Sequence, residues 1–245
     1  EAERACAKIA EYRHLVLKGF HMHLATDIAN SSIYEHAADI LCSYVLRMKR
    51  LYPVEVEHID MGGGFGVKNL RPRYREFWDV PPVQNFLQAM AHSIQRKLTP
   101  SPRLIIEPGR YLVAESMAFA TRVVATRYDG PGSAHVIVDG STSMVPTATT
   151  HWHPLHAYIP NRKKVITTTV FGSSCTPLDI LGTAPLPSLK ENDILLMAHC
   201  GAYSLSRSTQ FISPRPPVIS IDSGGLTKMV RRRESEDDLT RLDLF

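Results

Sequence analysis

Short apolar segments alternate with amphipathic helical segments over the first ~120 residues of this 245-residue sequence. The clearest helix begins at Ser31 and carries apolar residues at i, i+3 and i+4 before a proline at position 53. Such alternation favours parallel strands, because each helix carries the chain back across the sheet. We therefore predict a parallel α/β unit over residues 1–120, with strands within 16–24, 54–61 and 103–109 and helices within 31–53 and 81–98.

After about residue 120 the pattern changes to short β-rich runs that are separated by glycine, proline and asparagine. No long amphipathic helix occurs among them. We predict an all-β domain over residues 121–245, a sandwich or barrel-like structure that carries Cys175 and Tyr203. Its clearest strand segments are 134–140, 163–172, 193–203, 217–225 and 226–232.

Composition excludes several classes of protein. A net charge of +4 with 44% hydrophobic and 21% charged residues is typical of globular proteins. The run 231–238 joins three arginines to an acidic cluster without aromatic residues, so we expect a solvated surface and no nucleic-acid partner. No apolar run approaches the roughly 20 residues of a membrane span, and the first residues lack a signal-peptide core. Four widely spaced cysteines predict reduced thiols and a cytoplasmic location.

Three predicted strands run into unusual residues, which we call the strand-end segments: "HMHLAT" (21–26), "MGGGFG" (61–66) and "EPGR" (107–110). Ligands bind at the carboxyl ends of parallel strands in barrels and doubly wound sheets. The glycines either expose N–H groups to a phosphate or form a tight structural turn. Glu107 and Arg110 either contact two parts of one ligand or form a local ion pair.

Other candidate residues have plain structural alternatives. Cys175 lies in a loop after a predicted strand, and a cysteine is more often a small buried residue than a reactive one. Tyr203 follows a glycine turn, where a half-buried core tyrosine is the alternative. Histidines cluster in "HWHPLH" (151–156) and "HMH" (21–23), but no metal-binding motif accompanies them, and we expect no metal site.

Taken in order, "FHMHLAT", "DMGGGFG", "EPGRYLVAES", "VDGSTS", "GSSCTPLD" and "CGAYSLS" resemble the fold-type III pyridoxal-phosphate decarboxylases. These enzymes are relatives of ornithine and diaminopimelate decarboxylase, and they combine an alanine-racemase-type barrel of the TIM kind with a β domain. The resemblance extends from about residue 18 to 220. It implies a partial barrel in the first part of the chain, a C-terminal β domain and a pyridoxal 5′-phosphate cofactor.

The resemblance also implies a role for each motif. His23 would stack on the pyridine ring, and Glu107 would keep the ring nitrogen protonated, which makes the ring a better electron sink. Cys175 would return a proton to the substrate as a general acid, reaching in from the partner subunit of a homodimer. The phosphate would be held by Thr26, Gly62, Gly63, Gly64, Gly109, Arg110 and Tyr203.

The sequence departs from the ornithine and diaminopimelate enzymes at Thr176, where they carry an acidic residue that holds the distal amine of the substrate. An uncharged Thr176 favours a polar or carboxylate-bearing tail instead, and His151 and His153 are the candidates for contacting it. The closest resemblance is to decarboxylases of citryl-diaminopropionate in siderophore assembly or of an acyl-carrier-bound glutamyl group. A diaminopimelate- or ornithine-type activity is the alternative.

No lysine lies in a motif like the one that carries the family's Schiff-base lysine. We expect that the chain begins midway through the barrel and that the lysine belongs to a separate or unlisted N-terminal portion. The alternatives are a catalytically silent paralogue, a racemase on the same fold, and a simple phosphate-binding module.

Overall fold

The computed structural model describes residues 1–67, 80–160 and 164–244. Within these ranges the chain forms two compact units, residues 1–67 with 80–112 and residues 113–160 with 164–244. The sequence predicts a domain boundary after residue 120, whereas the division in the structure falls between residues 112 and 113. Position 163, which begins one predicted strand, and position 245 lie outside the described residues.

The first unit contains a three-stranded parallel sheet whose strands are separated in sequence by helices. Strand β1 pairs with β2 and β2 with β3, so that Gly19, His58 and Arg103 lie side by side. The predicted strand–helix alternation is present, with strands shorter than the apolar segments that contain them. The elements are α1 (Ala2–Ala10), β1 (Gly19–His21), α2 (Ser31–Leu51), β2 (His58–Asp60), α3 (Val83–Lys97), β3 (Arg103–Ile105) and α4 (Gly109–Val113).

Local chemistry explains where the two long helices begin and end. Asn30 caps α2, because its side-chain oxygen accepts a hydrogen bond from the N–H of Ser32 at 2.9 Å. The last turn of α2 carries Lys49 and Arg50, whose charges are favourable at the negative end of the helix dipole. Helix α3 follows Pro82 and also ends in a basic turn. These signals are local, and both helices match their predicted ranges closely.

An aromatic cluster joins the helices of the first unit to the loop after β2. Tyr34 on α2 stacks on Phe65 with ring centroids 5.0 Å apart, and Phe86 on α3 meets both rings edge-on. All three side chains are buried within the core of this unit. The cluster therefore fixes the glycine-rich loop, which directly precedes Phe65, against α2 and α3.

The second unit is based on a six-stranded sheet with the order β6-β9-β4-β5-β7-β8. Its paired strands are antiparallel except β5 and β7, which are parallel. Buried and exposed residues alternate along β5, so one sheet face covers the core. The strands are β4 (Phe119–Tyr128), β5 (Ser133–Val138), β6 (Leu155–His156), β7 (Val165–Phe171), β8 (Ile180–Pro187) and β9 (Ile194–Met197).

The sequence prediction misses three strands of this sheet, namely β4, the two-residue β6, and β8. Strand β4 contains alanines and arginines, which favour helices in isolation, and its pairing with β5 and β9 overrides that preference. Strand β8 contains Gly182, Pro185 and Pro187, which weaken the strand pattern. It lies at the edge of the sheet, where proline is tolerated because no neighbouring strand on the outer side needs its missing N–H as a donor.

The remaining elements follow the sheet. Strands β10 (Val218–Ile221) and β11 (Thr227–Arg231) form a separate antiparallel hairpin, and a short helix, α5 (Glu236–Thr240), comes after it. Both strands lie within segments that the sequence predicts as strands. Among the described residues, no helix combines the length and the apolarity needed to cross a bilayer.

Candidate active site

The three strand-end segments remain in contact beyond the sheet. The N–H of Met22 donates to the carbonyl of Asp60 at 2.9 Å, and the N–H of Glu107 donates to the carbonyl of Gly62 at 2.8 Å. The segments therefore meet at one edge of the parallel sheet, as its strand direction predicts. This edge is the candidate active site of the first unit.

The neighbouring backbone requires the glycines at this edge. Gly62 and Gly64 adopt left-handed φ values of 64° and 88°, which side chains with a Cβ rarely adopt. A Cβ on Gly63 would overlap the carbonyl oxygen of Glu107, and one on Gly64 would overlap the carbonyl oxygen of Ala25. Close packing of the strand-end segments therefore explains the glycine run, in agreement with the alternative of a tight structural turn. By contrast, a Cβ on Gly109 would meet nothing within 4 Å.

Two glycine N–H groups face protein acceptors. The N–H of Gly62 donates to the Asp60 carboxylate at 2.9 Å, and the N–H of Gly63 points to Nδ1 of His23 at 3.4 Å. On the interior side, the Tyr34 hydroxyl donates to the carbonyl of Gly63 at 2.7 Å, and burial raises the pKa of Tyr34 to about 12. The contact of Gly62, Gly63 and Gly64 with a phosphate stays a prediction.

Polar side chains are exposed on the outer side of the same edge. His23, Thr26 and Glu107 are all exposed. Nε2 of His21 lies 3.7 Å from a Glu107 carboxylate oxygen, and ligand atoms of His21, Asp60 and Glu107 all lie within 4.8 Å of one another. The sequence analysis considered His21 only as a possible metal ligand and did not single out Asp60, although the parallel register brings the last residues of β1 and β2 together.

Arg110 forms a nearly buried ion pair with Asp27. Its guanidinium contacts both carboxylate oxygens, at 2.6 and 2.8 Å, and the two side chains are only 10% and 9% exposed. A bidentate pair of this kind fixes the orientation of the guanidinium. Of the two roles considered for Arg110, the structure displays an ion pair, but with a partner distant in sequence rather than with Glu107. Asp27, at φ 59°, was not foreseen as a site residue.

Cys175 and Tyr203 belong to the second unit. Cys175 is exposed and unpaired, in the loop between β7 and β8. Tyr203 is 53% exposed and adopts a left-handed φ of 58°, which is uncommon outside glycine and frequent at functional sites. By contrast, Cys200 is buried, and burial raises the pKa of its thiol to about 12. Among the cysteines, the exposed position of Cys175 is the one suited to chemistry with a ligand.

The predicted substrate-contacting residues lie in different environments. His153 is 3% exposed, and its ring nitrogens lie 3.0 Å from the carbonyl of Ala198 and from the Thr147 hydroxyl. This burial contradicts a direct substrate contact by His153, because both polar atoms of its ring are engaged inside the unit. His151 lines a surface pocket of about 310 Å³. Thr176 is exposed in the Cys175 loop.

Residues 1–114 match the family model for the pyridoxal-binding domain of pyridoxal-dependent decarboxylases. Over 248 residues the chain is 30% identical to the diaminopimelate decarboxylase of Actinosynnema pretiosum subsp. auranticum, covering 100% of this chain and 55% of that protein. Its first 114 residues thus match the pyridoxal-binding domain of these decarboxylases, and the whole chain is similar to a member of the group. These matches confirm the resemblance inferred from the six motifs, and they indicate pyridoxal phosphate as the cofactor.

Other similar proteins show how far the similarity reaches. The chain is 26% identical to the L-glutamyl acyl-carrier-protein decarboxylase of Niallia circulans, covering 92% of this chain and 55% of that protein. The crystal structure of Helicobacter pylori diaminopimelate decarboxylase with L-lysine shares the fold, with a TM-score of 0.84 at 22% identity over 99% of this chain and 58% of that one. The chain therefore spans about half the length of the curated relatives it matches.

The residues at the edge of the parallel sheet fit a phosphorylated pyridine cofactor in their chemistry. A carboxylate on Glu107 suits a protonated ring nitrogen, the imidazole of His23 offers a flat face, and Thr26 offers a hydroxyl. All three side chains are exposed at the carboxyl ends of parallel strands. Their positions are fixed from behind by the glycine packing and the aromatic cluster.

Proposed function

We propose that this chain carries cofactor-binding and proton-donating residues of a pyridoxal-phosphate-dependent amino-acid decarboxylase. The observation that supports this most strongly is the joint exposure of His23, Thr26 and Glu107 where three parallel strands end, within a segment that matches a pyridoxal-binding domain. The cofactor supplies an electron sink for the loss of carbon dioxide from the substrate.

Each residue of the chain has a distinct proposed task. Glu107 holds a proton on the ring nitrogen, because a nearby carboxylate favours the cationic form of a base. His23 orients the ring from one face, and Thr26 binds the phosphate together with the glycine turn, Gly109, Arg110 and Tyr203. Cys175 donates the proton that replaces the lost carboxylate, which requires an accessible thiol. Its exposure is consistent with that task.

The substrate is the finer part of the proposal. Most of the similar proteins are diaminopimelate decarboxylases, and one acts on an acyl-carrier-bound glutamyl group. Thr176 has no charge with which to hold a distal ammonium group, so we propose a substrate with a polar or carboxylate-bearing tail, as in siderophore assembly. His151 is the remaining histidine candidate for contacting this tail. Diaminopimelate is the second candidate substrate, and the relatives favour it.

The test measures carbon dioxide release and cofactor binding separately. Purified protein, supplied with the N-terminal portion expected to carry the Schiff-base lysine and with pyridoxal phosphate, is assayed on citryl-diaminopropionate, diaminopimelate, ornithine and lysine. Cofactor binding is followed by equilibrium dialysis. We expect Glu107→Gln to lower carbon dioxide release by about 10²-fold or more, because it removes a preorganised charge next to the ring. Glu115→Gln, a change at another exposed glutamate, is the matched control.

Two outcomes would refute parts of this proposal. Equal carbon dioxide release by the wild type and Glu107→Gln would refute the task of Glu107. Efficient turnover of ornithine or lysine, whose tails carry an amine and no carboxylate, would refute the carboxylate-tail proposal. A preference for diaminopimelate over citryl-diaminopropionate would select the second candidate substrate. Both results would leave the decarboxylase proposal in place. We also propose a cytoplasmic homodimer with shared active sites, and sedimentation equilibrium measures the subunit number directly.

A further inference from the structure

The exposed Cys175 lies in a loop whose two ends are tied together. Residues 172–179, which we call the thiol loop, connect β7 to β8. The N–H of Gly172 donates to the carbonyl of Asp179 at 2.7 Å, and the N–H of Asp179 donates to the carbonyl of Thr176 at 2.9 Å. A loop closed in this way has few backbone conformations, even though its tip is exposed.

The carboxylate of Asp179 is the buried centre of this arrangement. Its side chain is 2% exposed and accepts three hydrogen bonds. One oxygen accepts from the N–H and the hydroxyl of Thr142, at 2.7 and 2.9 Å, and the other accepts from the N–H of Ser174 at 3.0 Å. Asp179 thus connects the residue directly before Cys175 to the loop that follows β5.

Asp179 is ionised near neutral pH despite its burial. Burial alone would raise the pKa of this carboxyl group, but the hydrogen bonds from Ser174 and Thr142 outweigh burial and bring the pKa below its ordinary value. A buried carboxylate is costly unless hydrogen bonds compensate it. All three donors named here are uncharged, so the carboxylate depends on their geometry.

Close packing leaves little freedom to the carboxylate itself. A Cβ placed on Gly172 would overlap the Asp179 carboxyl group, so this part of the loop backbone lies directly against it. In addition, the N–H of Ser173 donates to the carbonyl of Gly140 at 2.8 Å, a second connection to the loop after β5.

We propose that Asp179 is the positioning residue for Cys175: its buried carboxylate holds the thiol loop against the loop after β5 and so fixes where the thiol is presented. The catalytic value of this position rests on the proposed function, in which Cys175 donates a proton. The mechanical part concerns only residues of the second unit. It is therefore testable without cofactor or substrate.

The first measurement uses the thiol as its own probe. A methanethiosulfonate spin label reacts with Cys175, while the other three cysteines are buried and serve as internal controls for labelling. Asp179→Asn keeps the size of the side chain but replaces one acceptor oxygen by a donor, so either the Thr142 or the Ser174 contact is lost. We expect the label to become more mobile, and amide exchange at Ser174 and Thr142 to accelerate roughly tenfold or more.

Two further variants separate positioning from general loosening. Asp222→Asn is the control, because one oxygen of Asp222 also accepts two hydrogen bonds, from the N–H groups of Gly224 and Leu226, but in the turn between β10 and β11. It should leave label mobility at Cys175 unchanged. Thr142→Val removes one donor to Asp179 and should mobilise the label less than Asp179→Asn does, which provides a test if Asp179→Asn does not fold.

The outcomes distinguish this inference from the proposed function. Unchanged label mobility in both Asp179→Asn and Thr142→Val, or an equal increase in Asp222→Asn, would overturn the inference. If wild-type protein with pyridoxal phosphate releases carbon dioxide from diaminopimelate, Asp179→Asn should lower kcat with little change in KM; an unchanged kcat would also overturn the inference. If no tested substrate is decarboxylated, the proposed function fails, and label mobility still decides the position of Cys175.

Discussion

Replacing Gly64 by alanine tests whether backbone packing, rather than a ligand, requires the glycines. An L-residue at φ 88° costs about 1–2 kcal/mol relative to an ordinary conformation. The added Cβ would also overlap the carbonyl oxygen of Ala25, and overpacking of this kind costs about 1–3 kcal/mol. We therefore expect Gly64→Ala to lower the free energy of unfolding by about 2–5 kcal/mol, with or without pyridoxal phosphate.

Urea unfolding followed by the helical circular dichroism signal is the appropriate assay. The two long helices, α2 and α3, belong to the first unit, so this signal mainly reports the unit that contains Gly64. Gly109→Ala is the matched control, because a Cβ there meets nothing within 4 Å, and its effect should lie within about 1 kcal/mol of zero. A Gly64→Ala protein as stable as the wild type but unable to bind pyridoxal phosphate would refute this reasoning and favour direct phosphate contact.

Three other predictions follow from single contacts. Tyr34→Phe removes the donor to the buried carbonyl of Gly63 and should lower the free energy of unfolding by about 1–2 kcal/mol, measured by urea titration. A thiol reagent should modify the exposed Cys175 in the native protein. Cys200 should react only on unfolding, because burial raises the pKa of its thiol to about 12. Mass spectrometry of the digested protein tests this order. Because Asp179 has a lowered pKa in the folded state, the stability it contributes is present above the ordinary carboxyl pKa of 3.8 and is lost as pH falls through the folded-state pKa. The stability difference between wild type and Asp179→Asn should therefore shrink on acidification, in urea titrations from pH 7 to 3.

The features that the sequence predicts well are those that short-range patterns determine. Helix α2 is recognisable from its capping residues, its apolar spacing and the proline after it, and it ends close to its predicted limit. Parallel strands were expected because helices separate them, and this also predicted that the strand-end segments meet. The motif resemblance then supplied the cofactor, which no periodicity could have done.

The features that the sequence did not predict depend on contacts between distant positions. The Arg110–Asp27 pair joins residues 83 positions apart, and the Asp179–Thr142 contact joins residues 37 apart. Neither pair has a local signature. His153 was misjudged for the same reason. A histidine-rich stretch suggests ligand contacts, but Nδ1 of His153 faces the carbonyl of Ala198, which is 45 positions away.

The glycine packing and the candidate site constrain each other. The carbonyl of Gly62 accepts the N–H of Glu107 at 2.8 Å, and the N–H of Gly63 points to the His23 ring, so any displacement of this turn also moves the two side chains proposed to hold the cofactor ring. A glycine variant can therefore lose cofactor affinity without losing any phosphate contact. If a glycine variant binds the cofactor less tightly while the Glu107–Gly62 hydrogen bond is intact, the loss of affinity is evidence for a phosphate contact. Amide exchange at Glu107 measures that hydrogen bond directly.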